Sequence, residues 1–239
     1  MTVIDTTFKM YVDTPEKKDP DTYSRTLRDY HLFLWSKPLP NGKIFALTGK
    51  DERPYNLYHS SDLGDFRLSS DCFGHTYSKR SNMADIVSAV PKADIVAFWE
   101  LAFTIGSYII FPANIIDNRP TINGIRGMNR LINDRFDFTL ECIRRWYSDI
   151  ESPLSVHLNR YHDFFQLFED FQGYVRFFLL DDLVDMDSCS IRFWLPFTDF
   201  GKSNPLPADV VEYKEYMNNI MKFINARNMR ITEWAKLRR

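Results

Sequence analysis

The stretch TIGSYIIFP, Thr104 to Pro112, decides the fold because it is a nearly continuous run of apolar residues. Such a run is typical of a β-strand that is buried on both faces. SIRFWLPF, residues 190–197, is a second candidate for a buried strand. The shorter segments KIFAL, YNLYH and FRLSS lie upstream between turn residues, and they predict the other strands of a small sheet.

Apolar residues at helical spacing lie on both sides of these strands. Residues 1–21 are polar and predict an extended arm with at most one strand. The sequence therefore predicts the α+β class: a helix-rich single domain, residues 1–239, around a small mixed sheet. The predicted helices cover residues 24–35, 83–90, 91–103, about 124–147, 153–183 with an interruption, and 208–239 as a long C-terminal helix.

Composition excludes several classes of protein. Apolar residues make up 44% of the chain and aromatic residues 15%, which is too much for a disordered protein. The net charge of −2 gives no overall attraction to nucleic acid, so any such binding requires a local basic patch. Three widely separated cysteines, no signal-peptide pattern and no apolar run of about 20 residues predict a cytoplasmic protein without a membrane partner.

The junction TINGIRGMNR, Thr121 to Arg130, is the first candidate for a site. Asn123 is predicted to cap a helix, and the free amides of a helix N-terminus attract anions. Arg119, Arg126 and Arg130 stand around this predicted helix start. The glycine inside the stretch suggests that a backbone or a ligand approaches closely.

FPANIID, directly upstream, places Asn114 and Asp117 after the carboxyl end of the buried strand, where sheet proteins commonly bind ligands. Because only a short link separates them from the next helix, we expect Asn114 or Asp117 to share a cleft with Asn123 and Arg126. An alternative is that the helix has a solvated face, which carries charged residues such as Arg126, Asp137 and Glu141. Ion pairs would hold that face, Arg130 with Asp134 and Glu141 with Arg144 or Arg145.

Charge is unevenly distributed along the chain. Residues 119–145 contain six arginines against three acids, and residues 222–239 contain six basic residues against one acid. Residues 163–187, in contrast, contain seven acids and one arginine. Two basic segments suit a surface that contacts a nucleic-acid backbone. A solvated C-terminal helix explains the second segment equally well.

Metal and cofactor motifs are not found. The five histidines show no zinc spacing, and Cys72 with His75 forms a single C-x-x-H pair, which we attribute to chance. A magnesium site at Asp181, Asp182 and Asp185 is an unspecific alternative. We therefore predict no metal and no cofactor.

Several segments together resemble a bacterial family of about this length that is catalogued as a domain of unknown function. That family is similar to anti-phage DNA glycosylases, which remove glucosylated hydroxymethylcytosine from phage genomes. The segments, which run over nearly the whole chain, are LWSKPLPNG (34–42), LSSD (68–71), IIFPANIID (109–117), TINGIRGMNR (121–130), DRFDFTLECIRR (134–145), DFFQLFEDFQGYVRFFLLDDLV (163–184) and FINARNMRI (223–231).

The resemblance implies a hydrolase that binds DNA, cleaves an N-glycosidic bond and requires no metal. A glycosylase needs a carboxylate or an amide-held water at C1′ of the sugar and cations on the flanking phosphates. Asp117 and Asn114 are the catalytic candidates, and the substrate-binding candidates are Asn123, Arg126, Asn129, Arg130 and Arg119. A non-catalytic nucleic-acid-binding immunity protein and a magnesium-dependent nuclease or phosphoesterase are the alternatives.

Overall fold

The computed structural model describes residues 4–238, and its main sheet has four strands in the order β1-β2-β3-β4. All three pairings are antiparallel, which corrects the mixed sheet expected from the sequence, because every strand returns beside the preceding one. A separate hairpin pairs β5 with β6. The strands are β1 (Leu47–Gly49), β2 (Leu57–Ser61), β3 (Gly64–Cys72), β4 (Tyr108–Pro112), β5 (Val184–Asp185) and β6 (Ser190–Ile191).

Helices make up most of the remaining regular structure, so the predicted helix-rich α+β class and the long C-terminal helix are confirmed. Within residues 4–238, no helix combines the length and the apolar character that crossing a membrane requires. The helices are α1 (Pro20–Tyr23), α2 (Arg25–Trp35), α3 (Ala84–Ser88), α4 (Lys92–Ala102), α5 (Ile122–Met128), α6 (Phe136–Tyr147), α7 (Ser155–Asn159), α8 (His162–Gln166), α9 (Phe171–Phe177) and α10 (Val210–Lys236).

All five residues of β4 are buried, as the apolar run predicted. The turn before β4 contacts α10 directly, because the amide of Gly106 donates a hydrogen bond of 2.8 Å to Oδ1 of Asn228. A Cβ atom at position 106 would lie only 2.5 Å from that oxygen. The close approach of α10 therefore requires glycine here.

Arg227 is fully buried, and its hydrogen bonds link α10 to the rest of the core. Its guanidinium donates hydrogen bonds to the carbonyls of Gly106, Tyr108 and Phe178, at 2.9, 2.8 and 2.9 Å. Among residues 4–238, no carboxylate forms an ion pair with it. Arg227 therefore does not belong to an exposed basic surface on α10, and Arg230 on the same helix pairs with Asp182.

The single helix predicted from about residue 124 to 147 is in fact two helices, α5 and α6. Between them, Asn133 and Asp134 adopt left-handed conformations, with φ of 48° and 64°. A right-handed helix cannot continue through such residues. The hydrophobic spacing on either side is similar, which is why the sequence did not reveal the break.

Charged residues of α5 and α6 that the sequence assigned to a solvated face are buried. Arg126 and Asp137 are fully buried, and Glu141 is 4% exposed. Asp137 forms an ion pair with buried Arg135 and accepts a hydrogen bond from the amide of Trp194. These charges hold elements together instead of facing water.

Three local expectations need correction. Residues 4–21 form turns and the start of α1, without a strand in that range. Only residues 190–191 of SIRFWLPF, and only the last residue of KIFAL, lie in strands. The aromatic segment 164–178 packs mainly in the core, with Phe164, Phe168 and Phe178 fully buried.

Candidate functional site

The end of β3 beyond Leu68 pairs with β4 on one side and, among residues 4–238, with no strand on the other, because β2 pairs only as far as Leu68. We call this end, residues 69–72, the open edge. Two carboxylates accept its amides: Asp21 accepts from Ser70 at 2.6 Å, and Asp71 accepts from Cys72 at 2.9 Å. Because a strand rises about 3.3 Å per residue, these two amides are about 7 Å apart.

Asp71 is half-buried, with 22% of its side chain exposed, and forms an ion pair of 2.5 Å with Arg126. Arg126 also donates to Oγ1 of Thr139 and to the carbonyl of Asp134. Burial raises the pKa of Asp71, while the Arg126 guanidinium acts in the opposite direction. Arg126 therefore positions the Asp71 carboxylate and, being fully buried, is not exposed to bind a phosphate.

Asp21 lies at the start of α1 and reaches the open edge from outside the sheet. Burial raises the pKa of Asp21 to about 7, with further upward shifts from Asp19 and Asp71 and an opposing effect of the Ser70 amide. The carboxyl group is thus about half protonated at neutral pH. Asp21 and Asp71 therefore bind the same strand edge, and Asp71 is close enough to help raise the pKa of Asp21.

Asn123 contacts the same edge from α5. Its Nδ2 donates to Oγ of Ser69 at 3.0 Å and to the carbonyl of Ser70 at 3.4 Å. Its Oδ1 is buried and has no hydrogen-bond partner within residues 4–238. Buried polar atoms are normally paired, so this oxygen is an acceptor that the described residues leave unused.

The predicted helix cap is a different residue. Thr121, not Asn123, caps α5 by accepting a hydrogen bond from the amide of Gly124. Gly127 is explained by a side chain, because a Cβ atom there would lie 3.0 Å from Oδ2 of Asp134. No ligand is needed to account for this glycine, and the anion site predicted at the helix start has no support from α5.

The structure does not bring Asn114 and Asp117 to Asn123 by any hydrogen bond within the described range. Both polar atoms of the Asn114 side chain already have partners on β3. Its Oδ1 accepts a hydrogen bond from the amide of Arg67, and its Nδ2 donates one to the carbonyl of Asp65. Asp117 is exposed in a loop with φ of 53°. The best-organised group therefore forms around Asp71.

The remaining substrate-binding candidates divide into exposed and structural residues. Arg119 and Arg130 are exposed, and neither side chain forms an ion pair in the described part of the chain. Asn129 instead holds the link after α5, donating to the carbonyl of Pro153 and accepting from the amide of Leu131. Arg119 and Arg130 remain available to bind an anion.

Ion pairs neutralise the other four arginines of residues 119–145. Arg126 and Arg135 pair with aspartates, as described above. Glu141 binds both Arg144 and Arg145, which confirms the helix ion pairs predicted as an alternative. The predicted partner of Arg130, Asp134, is instead 3.9 Å from Arg80. The basic surface is smaller than the sequence suggested.

Asp71, Cys72 and His75 offer ligand atoms that all lie within 4.8 Å of one another. Nε2 of His75 is buried without a partner among residues 4–238, and burial raises the pKa of the Cys72 thiol. Treating Cys72 and His75 as a chance pair overlooked this third group. The acidic candidates for magnesium are structural: Asp181 and Asp182 pair with Arg230.

Sequence reasoning missed Asp21, and it predicted FRLSS as a strand without choosing Asp71, the next residue, for the site. The segment FRLSSD does carry the signal of a strand, because Phe66, Leu68 and Ser70 alternate with outward polar residues. Asp21 gives no such signal, since its partner Ser70 is 49 positions away in the chain.

Comparison with known proteins adds a family without an assigned activity. The model of a family described as "Family of unknown function (DUF6994)" matches residues 4–231. No curated protein and no solved structure gives a significant match.

Proposed function

The chain belongs to this family of unknown function, DUF6994, and we propose that it is a DNA glycosylase that leaves an abasic site. The observation that carries the proposal is the pair of carboxylates, Asp21 and Asp71, bound to neighbouring amides of the open edge. The proposed substrate is a modified cytosine in phage DNA, with glucosylated hydroxymethylcytosine as the first candidate.

The two carboxyl groups suit the two halves of the reaction. The neutral form of Asp21 protonates the leaving base, and ionised Asp71 activates the water that attacks C1′ and stabilises the positive sugar. Enzymes that invert a glycosidic centre hold their carboxyl groups about 6.5 to 9.5 Å apart to leave room for that water. An inverting reaction therefore requires the carboxyl groups of Asp21 and Asp71 to lie at such a separation.

Asn123 supplies a means of recognising the base. Its unpaired Oδ1 is an acceptor, and the N4 amino group of cytosine is a donor. Because Nδ2 is held by Ser69 and Ser70, the amide is fixed, and a base reaches the buried oxygen only after the residues that cover it move. A cytosine derivative therefore complements this atom better than thymine, which offers a carbonyl at the corresponding position.

Phosphates must lie away from the open edge. Asp19, Asp21, Asp71 and Asp134 all influence the pKa values of the group around the open edge, and together they repel anions. The exposed arginines Arg119 and Arg130 are the cations suited to flanking phosphates. Only the base and its sugar would approach the carboxylates at the open edge.

The test is incubation with DNA that contains glucosylated hydroxymethylcytosine, hydroxymethylcytosine or unmodified cytosine, with EDTA present throughout. We expect abasic sites, measured with an aldehyde-reactive probe, and a released base identified by mass spectrometry. Absence of both products from all three DNAs would show that the protein is not a glycosylase of these bases.

A metal-dependent phosphoesterase is the second candidate, and the group Asp71, Cys72 and His75 favours it. Three ligands of this kind with an open fourth position are typical of catalytic zinc sites. In that case EDTA abolishes the reaction and the product is a broken phosphodiester without a released base. The same assay therefore separates the two functions.

The pH dependence of base release follows from the raised pKa of Asp21, which is about 7. The acid is lost as pH rises through this value, so we expect kcat to fall on the alkaline side. Asp21→Asn should lower the rate below pH 7 and converge with the wild type above it. The amide oxygen of asparagine can still accept the Ser70 amide, so the edge is preserved.

The raised pKa of Asp21 should also make the folding stability depend on pH. Between about pH 4 and pH 7 the folded protein retains a proton on Asp21 that the unfolded chain has released, so folding stability decreases as pH rises through this window. Asp21→Asn should flatten that part of the curve of folding stability against pH.

An unchanged alkaline limb of kcat in Asp21→Asn would assign the titration to another group.

A further inference from the structure

Lys37 follows α2 and is only 6% exposed. It lines a cavity of about 410 Å³ between residues 37–40, α9 and the end of α10. The cavity wall also includes Arg176, Phe177, Trp234 and Arg238. None of these residues belongs to the open edge of β3.

The ammonium group of Lys37 is enclosed by aromatic rings. Its Nζ lies 5.0, 4.7 and 5.1 Å from the ring centroids of Trp35, Phe177 and Trp234. Within residues 4–238, Nζ has no hydrogen bond and no ion pair. Aromatic faces stabilise a cation only weakly, so they do not replace a counter-ion.

Other positive charges near the cavity make it a favourable place for an anion. Burial, Arg238 and Arg227 lower the pKa of Lys37 to about 7, and Asp181 opposes them. Arg176 and Arg238 are exposed at the rim.

The carboxylates around the cavity have other partners or stay in solvent. Asp170 caps α9 through the amide of Gly173, and Glu169 is exposed. Asp181 pairs with Arg230.

We propose that the Lys37 cavity binds a small organic anion, with a carboxylate or phosphate ester beside Nζ and an apolar portion against Phe177 and Trp234. A buried cation without a counter-ion is unfavourable, and an oxyanion supplies both charge and hydrogen-bond acceptors. Arg176 and Arg238 attract the same group at the entrance. This site is separate from the proposed catalytic residues at the open edge of β3.

Reductive labelling with pyridoxal phosphate at pH 7 tests the proposal. The neutral amine adds to the aldehyde, water leaves, and borohydride delivers hydride to the imine to give a stable secondary amine. Because Lys37 has an available neutral form and the phosphate suits the cavity, we expect it to react about tenfold faster than exposed Lys236 on α10. Peptide mass spectrometry measures both sites in the same sample.

Two competing anions identify the ligand class. Protection of Lys37 by inorganic phosphate supports a phosphate ester, and protection by malonate supports a carboxylate. Arg238→Gln should reduce the labelling of Lys37 without changing that of Lys236. Equal labelling of both lysines, or no protection by either anion, would overturn the proposal; Lys37→Met, with its unfolding midpoint recorded, confirms the assignment of the labelled peptide.

Discussion

Asp71→Asn is expected to lower single-turnover base release by a factor of about 10² to 10⁴, the usual contribution of a positioned acid or base. The asparagine amide keeps the shape of the side chain but loses the charge that faces C1′ in the transition state. Affinity for DNA should change much less, because the carboxylate acts mainly after the substrate is bound. The measurement is base release in EDTA with enzyme in excess.

Asp117→Asn is the matched control, because it makes the same chemical change in an exposed loop. We expect it to keep nearly full activity. Since Asp71→Asn also breaks the pair with buried Arg126, both variants need circular dichroism spectra and unfolding midpoints. A folded Asp71→Asn variant with wild-type turnover would contradict the proposed role, and loss of activity in Asp117→Asn would move the catalytic carboxylate to the loop.

Arg227→Met is expected to reduce the free energy of unfolding by about 3 kcal/mol. The substitution leaves the buried carbonyls of Gly106, Tyr108 and Phe178 without their donor, and each unsatisfied group costs about 1 to 3 kcal/mol. Removing an unpaired cation from the core returns part of this cost, because burying a charge is itself unfavourable. Urea unfolding at neutral pH measures the difference.

Arg230→Met provides the comparison on the same helix. Arg230 is 37% exposed and pairs with Asp182 on the surface. Such pairs contribute about 0.2 to 1 kcal/mol, so its loss should change stability little. Similar losses in the two variants would mean that the carbonyls around Arg227 find other partners.

The fold was largely predictable because its strongest elements carry local signals. The apolar run at β4 and the spacing along α10 each mark a buried face, and both elements formed close to the predicted positions. The ends of helices were less predictable where a left-handed backbone conformation breaks the helix, as at Asn133 and Asp134. The antiparallel order of the sheet depends on pairing between distant segments, which periodicity does not encode.

The candidate site was less predictable, because it depends on which charges become buried. Arg126 looked like a surface arginine in the sequence, and only its pairing with Asp71, 55 positions away, reveals its structural role. The same holds for Asp21 and Ser70. A proximity argument based on a short link favoured Asp117, whereas the proposal made from the structure depends on Asp71 in β3, the antiparallel neighbour of β4.

The hydrogen bond from Ser70 to Asp21 also affects how this protein behaves in a crowded solution. An unpaired strand edge can recruit a strand from another molecule and begin aggregation. The Asp21 carboxyl group occupies one amide of that edge. Replacing this residue with one that lacks an acceptor therefore exposes a template for self-association, so solubility and the proposed chemistry constrain the same side chain.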